Sequence, residues 1–185
     1  TRNSISVLDV GAAPGGKTFQ LLESGYNLTS LEISTKRISK LKENLKRLNF
    51  QTKIVCDNFI SWEPPQKFDC ILIDAPCTGS GLLQKKPEIM IRDKFENHKK
   101  LVNKQKLMIE KAATILNNGG LIIYSVCSIL HSEGLNHIKD FVFKNKNFSL
   151  IKPNSKFKKF GNIHRNGTFM ATPADFKSIG GIDGF

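Results

Sequence analysis

An α/β fold with a doubly wound, mostly parallel sheet is predicted by three features of the sequence. Short β-rich runs alternate with segments of helical periodicity along most of the chain. Two of the runs, ILID and LIIYSV, are apolar enough to predict strands that are buried on both faces of such a sheet. Glycine-rich or polar turns follow several strands, and doubly wound folds bind their ligands where the strands end.

The first half of the chain predicts four strands and two helices. Their predicted bounds are Ile5–Val10, Leu28–Ile33, Thr52–Cys56 and Phe68–Asp74 for the strands, and Thr18–Ser24 and Thr35–Leu48 for the helices. The second helix is indicated by apolar residues at helical spacing, with Lys and Arg on the opposite face. These apolar residues are Ile38, Leu41, Leu45 and Leu48.

The second half predicts a long basic helix over Asp93–Asn117, a strand over Leu121–Val126, a helix over His131–Lys144 and a strand over Phe148–Lys152. The long helix should bury a stripe made of Leu101, Gln105, Met108, Ala112 and Ile115, and end at the sequence NNGG. A basic, polar loop is predicted after Lys152. Because GGIDGF ends the sequence where a seventh strand could begin, we expect the fold to be truncated.

Composition predicts one globular domain and favours a polyanionic partner. The 185 residues carry a formal net charge of +12, which attracts nucleic acid. The alternative is that an A/T-rich genome encodes many Lys and Asn residues, which would give a similar composition without such a partner. The sequence has no apolar run of membrane-spanning length and no signal-peptide pattern at its start. We therefore expect a cytoplasmic protein without a membrane partner, and no oligomer is expected.

The four cysteines, Cys56, Cys70, Cys77 and Cys127, have neither CxxC spacing nor paired histidines nearby. This pattern predicts reduced thiols and neither a metal site nor a disulfide framework. Cys56 and Cys70 end or interrupt apolar runs, so both are expected to be ordinary buried residues. The other two cysteines lie in unusual surroundings.

A glycine turn in VLDVGAAPGGKT, residues 7 to 18, predicts a nucleotide-like cofactor at the start of a helix. Its spacing is neither that of a triphosphate-binding loop nor that of a dinucleotide-binding loop, and a purely structural turn is the alternative. Glu32 ends the second strand, where such folds bind ribose hydroxyls, and Asp57 could contact the adenine edge. Solvation of Glu32 and helix capping by Asp57 are the alternatives.

Two further motifs, DAPCTGSG at 74 to 81 and YSVCS at 124 to 128, place thiols at the ends of what should be neighbouring strands. Cys77 and Cys127 are therefore expected to face one small volume, near the carboxylate of Asp74. Methylation of cytosine C5 needs such a set, because a thiolate must add to C6 before the carbon becomes nucleophilic. A base must then remove the C5 proton, and a carboxyl group can stabilise the ring during addition.

These three motifs, in this order, resemble those of the RsmB/NOP family of RNA (cytosine-5) methyltransferases. KKPEIM at 85 to 90 and the terminal GGIDGF are also similar to that family, most of all to its bacterial ribosomal RNA branch. The resemblance implies a Rossmann-like class I methyltransferase, with residues 1–185 as the catalytic domain and the N-terminal RNA-binding region absent. It also implies S-adenosylmethionine as cofactor and RNA, ribosomal RNA in particular, as substrate.

The resemblance implies a role for individual residues. Cys127 would be the nucleophile, Cys77 would assist release, and Asp74 would contact both the base and the cofactor side. Glu32 and Asp57 would contact adenosine, and the cofactor loop would comprise Gly11, Ala12, Ala13, Pro14, Gly15, Gly16 and Lys17. The sequence departs from the family at Gly11, where Cys is usual, and at Val126, where Thr is usual.

Two other functions are compatible with the residues. DNA cytosine-5 methyltransferases use the cysteine that follows proline, which would assign the nucleophile to Cys77, but their ENV-type motif is absent. A noncatalytic, basic RNA-binding module is the second alternative. Candidate phosphate contacts are Lys36, Lys40, Lys46, Arg47 and the run Lys152 to Lys159, and the target base must leave its stack to reach Cys127.

Overall fold

A computed structural model describes residues 4–90, 97–163, 167–175 and 181–184. The chain divides into two compact units. The first unit comprises residues 1–75 and 107–125, and the second comprises residues 76–106 and 126–185. No helix among the described residues is long and apolar enough to cross a membrane.

The first unit contains a five-stranded sheet in which every neighbouring pair is parallel. Its strands are β1 (Ser6–Val10), β2 (Asn27–Glu32), β3 (Lys53–Cys56), β4 (Phe68–Asp74) and β5 (Leu116–Ser125). The strand order is β3-β2-β1-β4-β5, so the direction of winding reverses between β1 and β4. This order confirms the predicted fold class and makes the carboxyl ends of β1 and β4 the expected ligand-binding edge.

Helices α1 (Gly16–Glu23) and α2 (Thr35–Arg47) follow β1 and β2. The hydroxyl of Ser34 accepts a hydrogen bond from the backbone N–H of Arg37 and caps α2. Leu41 and Leu45 are buried in a cluster with Ala12 and Ala13 of the glycine turn. The predicted apolar face of α2 thus holds that turn against the helix, except at Leu48, which follows the last turn and is exposed.

Helix α3 spans His98–Thr114, and the first residues of the predicted helix, 93 to 96, lie outside the described part of the chain. Gln105, Met108 and Ala112 of the predicted stripe are buried. The helix ends three residues earlier than predicted, because Leu116 already pairs with Phe68 of β4. The sequence NNGG, predicted to end the helix, instead forms an irregularity within β5.

The prediction that LIIYSV is buried on both faces was wrong. Leu121 and Ile123 are 39% and 42% exposed. These two residues alternate along β5 and so point to one face of the sheet, which is therefore not fully covered at this strand, the last of the described sheet. By contrast, Ile71, Leu72 and Ile73 of β4 are buried, as expected for a strand with neighbours on both sides.

In the second unit, the predicted helix after His131 is a short 3-10 helix (His131–Glu133) followed by α4 (Leu135–Lys144). The predicted strand over Phe148–Lys152 does not form, and Leu150 and Ile151 are exposed. A β-rich sequence forms a stable strand only when another strand pairs with it, and no described strand pairs with this segment. The predicted loop after Lys152 contains a 3-10 helix (Ser155–Phe160) and two short antiparallel strands, β6 (Asn162–Ile163) and β7 (Phe169–Met170).

Candidate functional site

The glycine turn lies at the carboxyl end of β1, in the first unit. Gly11 has a φ of +80°, and a Cβ atom there would lie 2.8 Å from the carbonyl oxygen of Asp74. Its N–H and that of Ala12 donate to the carbonyl of Leu31, at 2.9 and 3.2 Å. The turn is thus anchored to β2 on one side and passes within contact of β4 on the other, so no side chain fits at Gly11 in this conformation.

Side chains of α2 hold the next residues of the turn. Arg37 donates to the carbonyl of Ala13, and the amide of Asn44 donates to the carbonyl of Pro14 at 3.1 Å. Gly15, at φ +119°, is the N-cap of α1, and a Cβ atom there would collide with the ring of Phe19. The turn therefore presents a fixed backbone at the N-terminus of α1, where N–H groups of the first helical turn have no partner within the helix.

Glu32 ends β2, as predicted, but it is 1% exposed, so the alternative of simple solvation does not apply. Its Oε1 accepts from the N–H of Ser34 at 3.0 Å, and its Oε2 lies 3.0 Å from Nη1 of Arg37. Buried carboxylates are stable only when paired or hydrogen-bonded. Arg37 therefore links the carboxylate at the end of β2 with the glycine turn.

Lys17 and Asp74 form an ion pair, with 2.7 Å between Nζ and Oδ2. Both side chains are about two-fifths exposed, at 41% and 40%. The structure thus brings together one residue of the predicted cofactor loop and the carboxylate of the second motif. Asp57 is exposed, and its carboxylate accepts from the N–H of Asn58 at 2.7 Å, in a local turn after β3.

Asp9 is a buried carboxylate in β1 that sequence reasoning missed. Thr18 Oγ1 donates to its Oδ2 at 2.6 Å, while Oδ1 has no hydrogen-bond partner among the described residues. Ser30, its register partner on β2, also has a buried hydroxyl without a partner there. The signal was available in VLDVG, where a charged residue interrupts an apolar strand.

Burial raises the pKa of Asp9 from 3.8 to about 6, against the lowering effects of the Thr18 hydrogen bond and the Lys17 charge. Because the folded state prefers the neutral acid, its contribution to stability is complete below pH 4 and is lost as the pH rises through 6. We expect Asp9→Asn, which stays neutral, to gain about 2 to 3 kcal/mol in unfolding free energy relative to wild type between pH 4 and pH 7.5.

Denaturant titrations of the two proteins at both pH values measure this difference. An Asp9→Asn difference that is the same at both pH values would contradict the assigned burial cost.

In the second unit, the two predicted thiols meet, with 3.2 Å between Sγ of Cys77 and Sγ of Cys127. Cys77 is 8% exposed, and Cys127 is half-buried. The hydrogen bond with Cys127 raises the pKa of the Cys77 thiol well above its usual range, and burial, the charge of Cys127 and the charge of Glu133 act in the same direction. Either sulfur can donate in this hydrogen bond, and the raised pKa favours the protonated form of Cys77.

The other two cysteines differ from each other in burial. Cys70 is half-buried within β4, but Cys56 is exposed, so the prediction that Cys56 is buried was wrong. Cys56 is the last residue of β3, the outermost strand on its side of the described sheet, and therefore lacks a covering neighbour.

A buried polar network surrounds the thiol pair, and sequence reasoning missed its centre. It consists of Thr78, Ser80, Gln105, Ser128, Glu133 and His137, all of which are buried. Thr78, Ser80 and Ser128 belong to the two cysteine motifs, but Glu133 and His137 lie outside them, and Gln105 was predicted only as an inward residue of its helix. The available signal was a glutamate five residues after Ser128, just before an amphipathic helix.

The candidate phosphate contacts Lys36, Lys40, Lys46 and Arg47 lie exposed on α2, where Lys40 pairs with Glu43 at 2.9 Å. Lys152, Lys156, Lys158 and Lys159 are exposed in the second unit. Among the residues that the structure describes, no group of three or more His, Cys, Asp or Glu is arranged to hold a metal ion.

Comparison with known proteins identifies relatives by sequence. Residues 1–177 match the family model described as 16S rRNA methyltransferase RsmB/F. The ribosomal RNA small subunit methyltransferase B of Vibrio vulnificus is 34% identical over 150 residues, which cover 78% of this chain and 35% of that protein. That of Yersinia pseudotuberculosis is 36% identical over 146 residues, covering 76% of this chain and 34% of that protein. The chain therefore spans about a third of these relatives.

Solved structures agree with this result. NSun6 from Pyrococcus horikoshii with SFG superposes with a TM-score of 0.76 at 27% identity, over 95% of this chain and 45% of that one. A methyltransferase homolog protein from the same organism gives a TM-score of 0.67 at 29% identity, over 83% of this chain and 49% of that one. With the parallel sheet, the glycine turn and the paired thiols, these matches show that the chain belongs to the 16S rRNA methyltransferase RsmB/F family.

Proposed function

We propose that residues 1–185 are the catalytic domain of an enzyme that methylates C5 of a cytosine in 16S ribosomal RNA, with S-adenosylmethionine as donor. The observation that carries the proposal is the 3.2 Å separation of Cys77 and Cys127. One thiol could perform nucleophilic addition alone, but C5 methylation also needs a base, and this pair offers both. Family membership supports RNA as the substrate.

The first unit has the features that a nucleoside cofactor requires. The turn from Gly11 to Lys17 presents backbone N–H groups at a helix N-terminus, and Glu32 at the end of β2 is suited to ribose hydroxyls. S-adenosylmethionine supplies an electrophilic methyl group on a sulfonium, and SFG, found with NSun6, is its analogue.

Cys127 is proposed as the nucleophile. The raised pKa of Cys77 favours its protonated form, so the thiolate of the pair is proposed to reside on Cys127. Its thiolate adds to C6 of the cytosine, which makes C5 an enamine carbon able to accept a methyl group. Cys127 is also the less buried of the two, as contact with a substrate requires. These properties favour Cys127 as the nucleophile. DNA cytosine-5 methyltransferases instead use the cysteine after proline, which corresponds to Cys77.

Cys77 is proposed as the base that completes the reaction. Once the Cys127 sulfur is bonded to C6, its charge and its hydrogen bond to Cys77 are lost, and these are two causes of the raised pKa of Cys77. Cys77 can then release its proton to solvent and take the proton from C5. The C5–H electrons form the C5=C6 double bond and the S–C6 bond breaks, which restores the thiolate of Cys127.

Asp74 is proposed to contact the N3 and N4 edge of the ring, where a carboxyl group stabilises charge that develops during addition. Its ion pair with Lys17 fixes its orientation and ties it to the cofactor turn. Along the chain, Asp74 precedes Cys77 by three residues, and Cys127 follows β5 by two. Asp57 is proposed as a contact to the adenine edge.

The test supplies the protein with methyl-labelled S-adenosylmethionine and unmodified 16S ribosomal RNA. Label is expected in 5-methylcytidine after digestion to nucleosides. Duplex DNA of matched length serves as the comparison substrate and should accept no label. Label in another nucleoside, or in DNA at an equal rate, would contradict the proposal. No binding of the cofactor at near-millimolar concentration would favour a noncatalytic RNA-binding module instead.

A further inference from the structure

We propose that Glu133 is the positioning residue that sets the distance between the two thiols. Its carboxylate is fully buried and accepts hydrogen bonds from both cysteine-bearing loops. On the Cys77 side, Thr78 donates to it twice, from its N–H at 2.9 Å and from its hydroxyl at 2.6 Å. On the Cys127 side, Ser128 donates from its hydroxyl at 2.5 Å.

The two oxygens of the Glu133 carboxylate accept hydrogen bonds from different sets of donors. Oε1 accepts from the Thr78 N–H and from Nε2 of Gln105 at 3.2 Å, while Oε2 accepts from the two hydroxyls. Hydrogen bonds to a buried carboxylate are shorter and stronger than those between neutral groups. Because the residues after both cysteines bind the same carboxylate, a shift of one loop must break a hydrogen bond or move the other loop.

Gln105 holds the residue that precedes Cys77. Its amide nitrogen also donates to the carbonyl of Pro76 at 2.8 Å, so both peptide groups next to Cys77 are held. Nε2 of the buried His137 lies 2.8 Å from the amide oxygen of Gln105. Since the amide nitrogen is used by Pro76 and Glu133, the oxygen is an acceptor and His137 donates, which fixes the orientation of the amide.

The Cys127 loop has an equivalent second support. The hydroxyls of Ser80 and Ser128 lie 2.9 Å apart, and the N–H of Gly81 donates to the carbonyl of Cys127 at 3.2 Å. Ser80 also links the two loops, because its N–H donates to Oγ1 of Thr78 at 3.4 Å, but this contact is longer than the three hydrogen bonds of 2.5 to 2.9 Å that Glu133 accepts from Thr78 and Ser128. A glutamate is long enough to reach both, and the amide of glutamine lacks one of the two acceptor oxygens.

The role in catalysis rests on the proposed function, but the positioning itself can be measured without RNA. Phenylarsine oxide bonds to two adjacent thiols, and its oxygen leaves as water with both thiol protons, so arsenic is not oxidised or reduced. Wild-type protein is expected to bind one equivalent at this pair. Cys77→Ala is expected to abolish that binding, which assigns the site.

Glu133→Gln is expected to weaken binding of phenylarsine oxide about tenfold or more, because the loops lose their common acceptor. The rate of covalent attachment to RNA containing 5-fluorocytosine should fall by a similar factor, with an unchanged KM for RNA. The fluorine cannot be removed as a proton, so it halts the reaction at the adduct. Glu110→Gln, an exposed glutamate on α3, is the matched control and should leave both measurements unchanged.

Two smaller changes decide the question if Glu133→Gln does not fold. Thr78→Val and Ser128→Ala each remove one hydroxyl donor, and each is expected to weaken arsenical binding about threefold or more. Arsenical affinities within twofold of wild type in every folded variant would overturn the proposal, even if thermal stability fell. If the arsenical series behaves as expected while wild-type protein forms no RNA adduct, the proposed function fails and the positioning by Glu133 stands.

Discussion

Cys127→Ala is expected to reduce methyl transfer to RNA by on the order of 10⁴-fold or more, because covalent activation of C5 is then impossible. No adduct with 5-fluorocytosine RNA should form. The rate of transfer of labelled methyl and the amount of protein attached to RNA after denaturing electrophoresis measure the two effects. Binding of S-adenosylmethionine should be unchanged, since this residue lies outside the proposed cofactor loop.

Cys56→Ala is the matched control for this variant. Cys56 is an exposed thiol at the end of β3, so its loss should alter neither methyl transfer nor adduct formation. An adduct that persists in Cys127→Ala would contradict the assignment of the nucleophile.

Cys77→Ala is expected to behave in the opposite way to Cys127→Ala. The adduct should form and receive the methyl group, but release should be slowed by about 10²- to 10⁴-fold, the usual contribution of a positioned base. Wild-type RNA without fluorine should then remain attached to the protein, with the label in the attached species. Denaturing electrophoresis after a single turnover detects this species, which wild-type protein should not accumulate.

The pair of cysteine variants also separates the RNA and DNA types of chemistry. If Cys77→Ala abolished the adduct and Cys127→Ala retained it, the nucleophile would be the cysteine after proline, as in DNA cytosine-5 methyltransferases. If Cys77→Ala released its product at the wild-type rate, another group would have to serve as the base.

The fold was predictable from the sequence wherever strands have neighbours on both sides. The run FDCILID and the helical spacing of Ile38, Leu41 and Leu45 specify burial locally, and the structure agrees. The convergence of Cys77 and Cys127 was also predictable, because the strands that precede them should be adjacent. In these cases the structure that the local sequence pattern favours is also the one that the surrounding residues favour.

The remaining features depend on partners that a local pattern does not reveal. Leu121 and Ile123 are apolar like the residues of an interior strand, but the face of β5 to which they point is partly uncovered. The run after Phe148 is β-rich without a strand to pair with. Glu133 resembles any acidic residue before a helix, and only the three-dimensional arrangement identifies the donors around it.

Gly81 and Gly184 are in backbone contact within the second unit. A Cβ atom on Gly81 would lie 1.9 Å from the carbonyl oxygen of Gly184, and the N–H of Gly184 donates to the carbonyl of Gly81 at 2.8 Å. Because the N–H of Gly81 also donates to the carbonyl of Cys127, a substitution at Gly184 would displace the loop that carries Cys127. A side chain at either glycine would displace the backbone of the other. Substitutions at these two positions are thus constrained jointly, although the positions are far apart in the chain.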